Sequence, residues 1–141
     1  MSSYEPAACC RVVHALHEGT PNGRMEQISG IECYISETED KSHANTLLFF
    51  PDVLGHKFPN CQLLADQFAV NGFRVIIPDI FRGDPMPENR GEDFDSQAWM
   101  RKHDYATETA VIAKSIVEHV KQDSQVQKTA AIGYGLSSDV Y

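Results

Sequence analysis

At 141 residues, 42% hydrophobic and 23% charged, the chain has the length and composition of one globular domain over 1–141. Its formal charge of −8 excludes a nucleic acid as partner, because binding a polyanion relies on clustered Lys and Arg. No apolar run approaches the ~20 residues of a membrane span, and MSSYEPAACC lacks the basic start and apolar stretch of a secretory signal, so a cytoplasmic protein is expected.

Residues 1–23 read as an N-terminal extension. They hold two of the four cysteines, Cys9, Cys10, Cys33 and Cys61. No C-x-x-C occurs, and neighbours such as Cys9 and Cys10 do not bridge without backbone strain, so reduced thiols are expected. Cys9, Cys10, His14 and His17 have the right chemistry for zinc. Adjacent cysteines do not fit the spacing of structural zinc sites, and neither a metal nor another cofactor is expected.

From Arg24 the text reads RMEQISGIECYIS. Ser29-Gly30 marks a turn, and Ile31, Cys33 and Ile35 alternate with Glu32, Tyr34 and Ser36, which predicts a hairpin strand with one wet face. After a polar loop, TLLFFP (46–51) is apolar almost without alternation, as suits a strand covered on both faces. A helix then starts with Asn60 as cap, carries Leu64 and Phe68 on one face, and stops at Asn71-Gly72. FRVIIPD (73–79) is a second buried strand, and 80–95 is a loop rich in Gly, Pro and acids.

The next helix is predicted to break near Asp104. Ala106, Ala110, Ala113, Val117 and Val120 recur at helical spacing as its sheet-facing stripe. TAAIG (129–133) is the third buried strand. Together these elements predict an α/β fold: an N-terminal β-hairpin followed by a parallel βαβαβ sheet with right-handed crossover helices.

Ligands of open parallel sheets gather beyond the carboxyl ends of the strands. Three loops qualify, at 51–56, 78–84 and 133–137. Asp52 and His56, four residues apart, suit a carboxylate orienting an imidazole, although a polar loop with local caps explains the same spacing. Asp79 and Asp84 bracket Arg82. They read either as turn caps with a surface ion pair, or as the setting of a guanidinium that receives a substrate carboxylate.

In the third loop, Gly133-Tyr134-Gly135-Leu136-Ser137 has the small-residue pattern of a nucleophile elbow, but Gly135 occupies the reactive position and offers no side chain. A shifted elbow at Ser137 would need a glycine at 139, where Asp139 stands. Cys61, at the start of the first crossover helix, lies where a helix dipole can lower a thiol's pKa, although a cysteine on a helix is more often packed and inert.

The opening PAACC, HEGTPNGRMEQISGIECYIS, DVLGHKFPNCQLLADQFAVNGFRVIIPDIFRGDP, Phe94, Asp95 and Trp99, and AAIGY together resemble the dienelactone hydrolase family, fungal members in particular. The resemblance runs from about Pro6 to Tyr134. It implies the N-terminal part of an α/β-hydrolase fold, in which a cysteine thiolate attacks an ester or lactone with help from a downstream aspartate and histidine. It further implies that Gly135 stands in the cysteine's position and that Asp52 matches the acidic residue contacting the thiol. The backbone N–H groups of Val53 and Leu136 match the oxyanion donors. Arg82 lies near the family's substrate-binding arginine, with Asp79 beside it.

Similarity is strong through Tyr134 and then fails, which suggests that GLSSDVY is out-of-frame or intronic rather than homologous tail. The triad aspartate and histidine then have no counterpart, and the last strand is left as a sheet edge on which a homodimer can form. Three function classes follow. One is a hydrolase of a small-molecule lactone or ester, of the kind fungal secondary metabolism uses. The others are an inert binding module on the same scaffold, and a non-hydrolytic cyclase or dehydratase using Asp52, His56 or Asp79.

Overall fold

The computed structural model describes residues 19–134. Along the chain run β1 (Arg24–Ile28), β2 (Ile31–Ser36), β3 (Asn45–Phe50), α1 (Pro59–Val70), β4 (Arg74–Pro78), α2 (Ser96–Lys102), α3 (Tyr105–Gln122) and β5 (Lys128–Gly133). The five strands form one sheet in the order β1-β2-β4-β3-β5. The β1–β2 hairpin is antiparallel, and β2 joins β4 antiparallel. β4, β3 and β5 run parallel. Hairpin and βαβαβ sheet are thus as the sequence predicts.

The central strands β3 and β4 are apolar for a reason visible on each. On β3, Leu48 and Phe50 face one side with Ile76 of β4, while Leu47 and Phe49 face the other with Val75 and Ile77. The first side receives Trp99 of α2 and Ile112, Ile116 and Val120 of α3; the second receives Ala65, Leu64 and Phe68 of α1. A strand with helices on both faces gains from burying every side chain, so alternation disappears.

Connection order fixes where the helices go. From β3 the chain moves one place along the sheet to β4, then jumps back across β3 to reach β5. Right-handed crossovers in opposite directions put α1 and α3 on opposite faces. They also make the adjacent carboxyl ends of β3 and β5 the topological switch point, the crevice where such sheets take ligands.

Several local expectations are corrected. The wet face of β2 is dry except at Glu32: Tyr34 and Ser36 are buried under α1, and the Tyr34 hydroxyl (2.8 Å) and Ser36 Oγ (2.6 Å) donate to Asp66 Oδ1. Polar residues there signal a buried hydrogen-bonded network rather than solvent. Helix α1 begins one residue before Asn60, with Pro59 in its first turn and Phe58 as the cap, and no side-chain cap bond. Proline's missing N–H and preset φ suit that position, so no polar cap is needed. Asn71 ends the helix as expected.

On α3 the buried stripe is Thr109, Ile112, Ile116 and Val120, flanked by half-buried Ala113 and Val117, while Ala106 and Ala110 are exposed. Alanines fit either face of a helix; the isoleucines fix the orientation because they carry more area to bury. The break at His103–Asp104 is present, and Asp95 caps α2 through Ala98 N at 2.9 Å.

β5 is not a buried strand: Lys128 to Ala131 are exposed, and among the described residues it pairs only with β3. The α3 stripe packs over β1, β2, β3 and β4 residues instead. The proposed N-terminal zinc ligands, Gly135 and Leu136 lie outside the described residues.

Candidate active site

The turn after β3 is built from its own backbone. Gly55 N donates to Asp52 O (3.0 Å), and Leu54 N donates to the Asp52 carboxylate at Oδ1 (2.9 Å). Gly55 sits at φ 83°, and a Cβ there would lie 2.9 Å from Pro85 Cβ, so both conformation and space require glycine. The Val53 carbonyl accepts from Met86 N (2.8 Å). The Val53 N–H has no hydrogen-bond partner among the described residues. A turn fixed at its carbonyl, with its amide left open beyond the end of β3, is the form an oxyanion donor takes.

The partner strand ends alongside. Phe50 and Gly133 are in register, Tyr134 N donates to Phe50 O at 3.2 Å, and the Tyr134 ring stacks on Phe49 at 5.1 Å. Residue 134 is thereby tied to the end of β3, one residue before Gly135.

Asp52 and His56 are not a pair. Asp52 spends Oδ1 on its own turn, and the buried His56 ring turns towards Glu32 and Asp79. His56 Nε2 lies 2.8 Å from Glu32 Oε1, and Nδ1 lies 3.7 Å from Asp79 Oδ1. An ionised carboxylate only accepts, so Nε2 carries the proton in the shorter contact. The His56 hydrogen bond, with a second from Lys57, holds the Glu32 carboxyl below its ordinary range. Nearness in sequence is no guide here. A four-residue spacing brings side chains together on a helix, and residues 52–56 form a turn.

Asp79 caps its loop in the manner of an Asx turn, accepting from Phe81 N (3.1 Å) and Gly83 N (2.7 Å). That loop carries Arg82 at φ 49°, exposed, in a conformation uncommon for a side-chain-bearing residue. Asp84 does not pair with Arg82. Its carboxylate accepts from Lys102 (3.0 Å) and His103 (2.9 Å), which hold it below the usual range.

Arg82, Lys57, Glu32 and Asp79 line a cleft of about 390 Å³ with Ile31 and Ile112. A larger cleft of about 440 Å³, lined by Arg24, Ser36, Glu37 and Asp66, opens where the parallel strands begin, at the opposite end from the switch point. Position decides between them, and the smaller is the candidate. Among the described residues no cluster of His, Cys, Asp and Glu could hold a metal ion.

Burial pushes the thiols of Cys33 and Cys61 up to about 12, aided by the charges of Asp79 and Asp52 respectively. Of the two readings of Cys61 the packed, inert one holds: burial outweighs the helix dipole, and the sulfur donates to the Phe58 (3.1 Å) and Gly55 (3.4 Å) carbonyls. In a Cys9→Ser/Cys10→Ser background, a thiol reagent at pH 8 should therefore label neither remaining cysteine in the native chain and both after denaturation. Rapid native labelling would contradict this burial.

Residues 31–138 match the dienelactone hydrolase family. The chain belongs to that family. Its match extends four residues past Tyr134, the point where the sequence leads one to expect similarity to fail. The chain is 34% identical to Hydrolase pyvD of Aspergillus violaceofuscus over 134 residues, covering 95% of this chain and 54% of that protein. It is 36% identical to Dienlactone hydrolase 2 of Gibberella moniliformis over 138 residues, covering 92% and 58%. The chain thus spans about half the length of the curated relatives it matches.

The dienelactone hydrolase-like promiscuous phosphotriesterase P91 from metagenomic libraries superposes with a TM-score of 0.59 at 17% identity, over 84% of this chain and 51% of that one. Est1E from Butyrivibrio proteoclasticus does so with a TM-score of 0.58 at 11% identity, over 82% and 42%. At these identities the likeness shows the α/β-hydrolase fold. No helix among the described residues is long and apolar enough to cross a membrane.

Sequence reasoning missed Glu32. It stands on the apparently wet face of β2, and only the β2–β4 pairing brings it near Asp79, whose N–H donates to Glu32 O at 2.8 Å. No local pattern announces a contact made 24 residues away.

Proposed function

We propose that this scaffold binds a small ester or lactone at the switch point, with the Val53 N–H directed at the acyl oxygen. Arg82, with Lys57 beside it, receives an anionic group of the ligand. The observation that carries the reading is the unpaired Val53 N–H beyond the end of β3, next to the strand that leads to position 135. Gly135 supplies no nucleophile, so the polypeptide as written binds such a ligand without turning it over at an enzymatic rate. The resemblance to fungal hydrolases supports a secondary-metabolite ligand. The free thiols Cys33 and Cys61 support the cytosol as the compartment.

The test is binding. Titrating the chain with a small lactone bearing a carboxylate, followed by amide chemical shifts, should perturb residues 53–57 and 79–83. Arg82→Ala should weaken binding about tenfold, the scale of one hydrogen bond to a charged group. Unchanged affinity in Arg82→Ala, or shifts confined to the Asp66 cleft, would overturn the assignment.

A further inference from the structure

We infer that Glu32 and His56 form a positioning pair that holds the 52–56 turn, and with it the open Val53 N–H, against the hairpin. The inference rests on the reading of that N–H as an acyl-oxygen donor.

Three elements grip the turn. From α1, Gln62 Nε2 donates to His56 O (3.1 Å) and Cys61 Sγ to Gly55 O (3.4 Å). From the 79–86 loop, Met86 N holds the Val53 carbonyl at 2.8 Å. From the hairpin, the grip is the Glu32–His56 contact. The first two act on backbone carbonyls, whereas the third is a charge-assisted side-chain bond whose donor is buried and whose acceptor faces the cleft.

His56 is the hinge of this arrangement. Its carbonyl is fixed to α1 and its ring to β2, so the turn is clamped at its C-terminal end from two directions. The charged groups around the ring are Glu32, Asp79 and, on the chain beside it, Lys57, which also bonds Glu32 Oε1 at 3.2 Å. Asp79 is committed to Phe81 N and Gly83 N. Glu32 is therefore the carboxylate whose removal changes the ring's position and leaves the 79–84 loop intact.

Glu32 is one-third exposed, so its replacement need not disturb the core. Amide exchange of Leu54, Gly55 and Met86 reads the turn directly, because those three N–H groups close it. Exchange at Leu48 and Ile76 reads the sheet. In Glu32→Ala the three turn amides should exchange about tenfold faster than in the parent chain, with the sheet amides unchanged. Glu32→Gln, whose side-chain oxygen still accepts from Nε2, should restore most of the protection. His56→Gln should behave as Glu32→Ala or milder.

Two results would overturn the inference. One is turn exchange unaltered in Glu32→Ala. The other is equal acceleration of turn and sheet amides, which reports only a loss of global stability. Exchange is independent of ligand, so a failed lactone titration with a loosened turn would sink the functional reading and leave the pair standing.

Discussion

Ile76→Ala is expected to lower the free energy of unfolding by about 2–5 kcal/mol, a large share of the roughly 5–15 kcal/mol that holds a typical domain. Ile76 is fully buried at the middle of β4, in the cluster that joins the sheet to Trp99 of α2 and to Ile112, Ile116 and Val120 of α3. Truncation removes three methyl or methylene groups from a position walled by two strands and a helix. Backbone hydrogen bonds to β2 and β3 on either side prevent collapse into the space. Val70→Ala is the control: Val70 is 87% exposed at the end of α1, and its loss should stay within about 0.5 kcal/mol. In urea the Ile76→Ala midpoint should fall with the slope retained. Equal midpoints for the two variants would mean that the sheet is not sandwiched as described.

What made the fold legible was the contrast between alternating and unbroken apolar runs. LLFF (47–50) and VII (75–77) have helices on both faces, which explains their lack of polar residues. The same reasoning failed where polarity and burial part company. Tyr34 and Ser36 look wet and are buried, because Asp66 satisfies both hydroxyls. Thr129 to Ala131 look buried and are exposed, because small residues say little about which strand lies at an edge. On α3 the alanine spacing points to one face, and the larger area of Ile112 and Ile116 turns the helix to another.

The site was legible in its location and not in its contacts. Strand order places the 52–56 turn beside the end of β5, and loops after strands are simple to find in a sequence. Contacts across the sheet are not. The spacing offers Asp52 either as a partner for His56 or as a local cap; Asp52 caps its own turn, and His56 meets Glu32 and Asp79, which β2–β4 pairing carries to it. Arg82 lines a cleft with Lys57, and the wall that Glu32 provides depends on the hairpin's register.

The second large effect concerns catalysis. The purified 141-residue polypeptide is expected to hydrolyse activated esters and lactones far more slowly than an intact enzyme of this kind. An oxyanion donor and a bound substrate retain only the residual catalysis, roughly 10³–10⁴-fold over water, seen when a triad is removed from a complete site. On the proposed reading Gly135 occupies the reactive position and offers no attacking atom, so acyl transfer through a covalent intermediate would have no first step there. Neither Cys33 nor Cys61 can stand in, since burial keeps both as thiols and both are bonded to local carbonyls. Gly135→Cys supplies the atom. It is expected to gain one acyl group per chain from an activated ester, visible as a single mass increment, in a background where Cys9 and Cys10 are replaced by serine.

The most direct test of this account is therefore the initial rate of ester cleavage by mass-verified parent chain, measured beside Gly135→Cys. With Cys9 and Cys10 replaced by serine in both, the account predicts no burst and no acyl adduct on the chain with Gly135, and one equivalent of acyl adduct on Gly135→Cys. Rapid, saturable turnover by the parent chain would contradict it, because the chemistry would then not need a nucleophile at position 135.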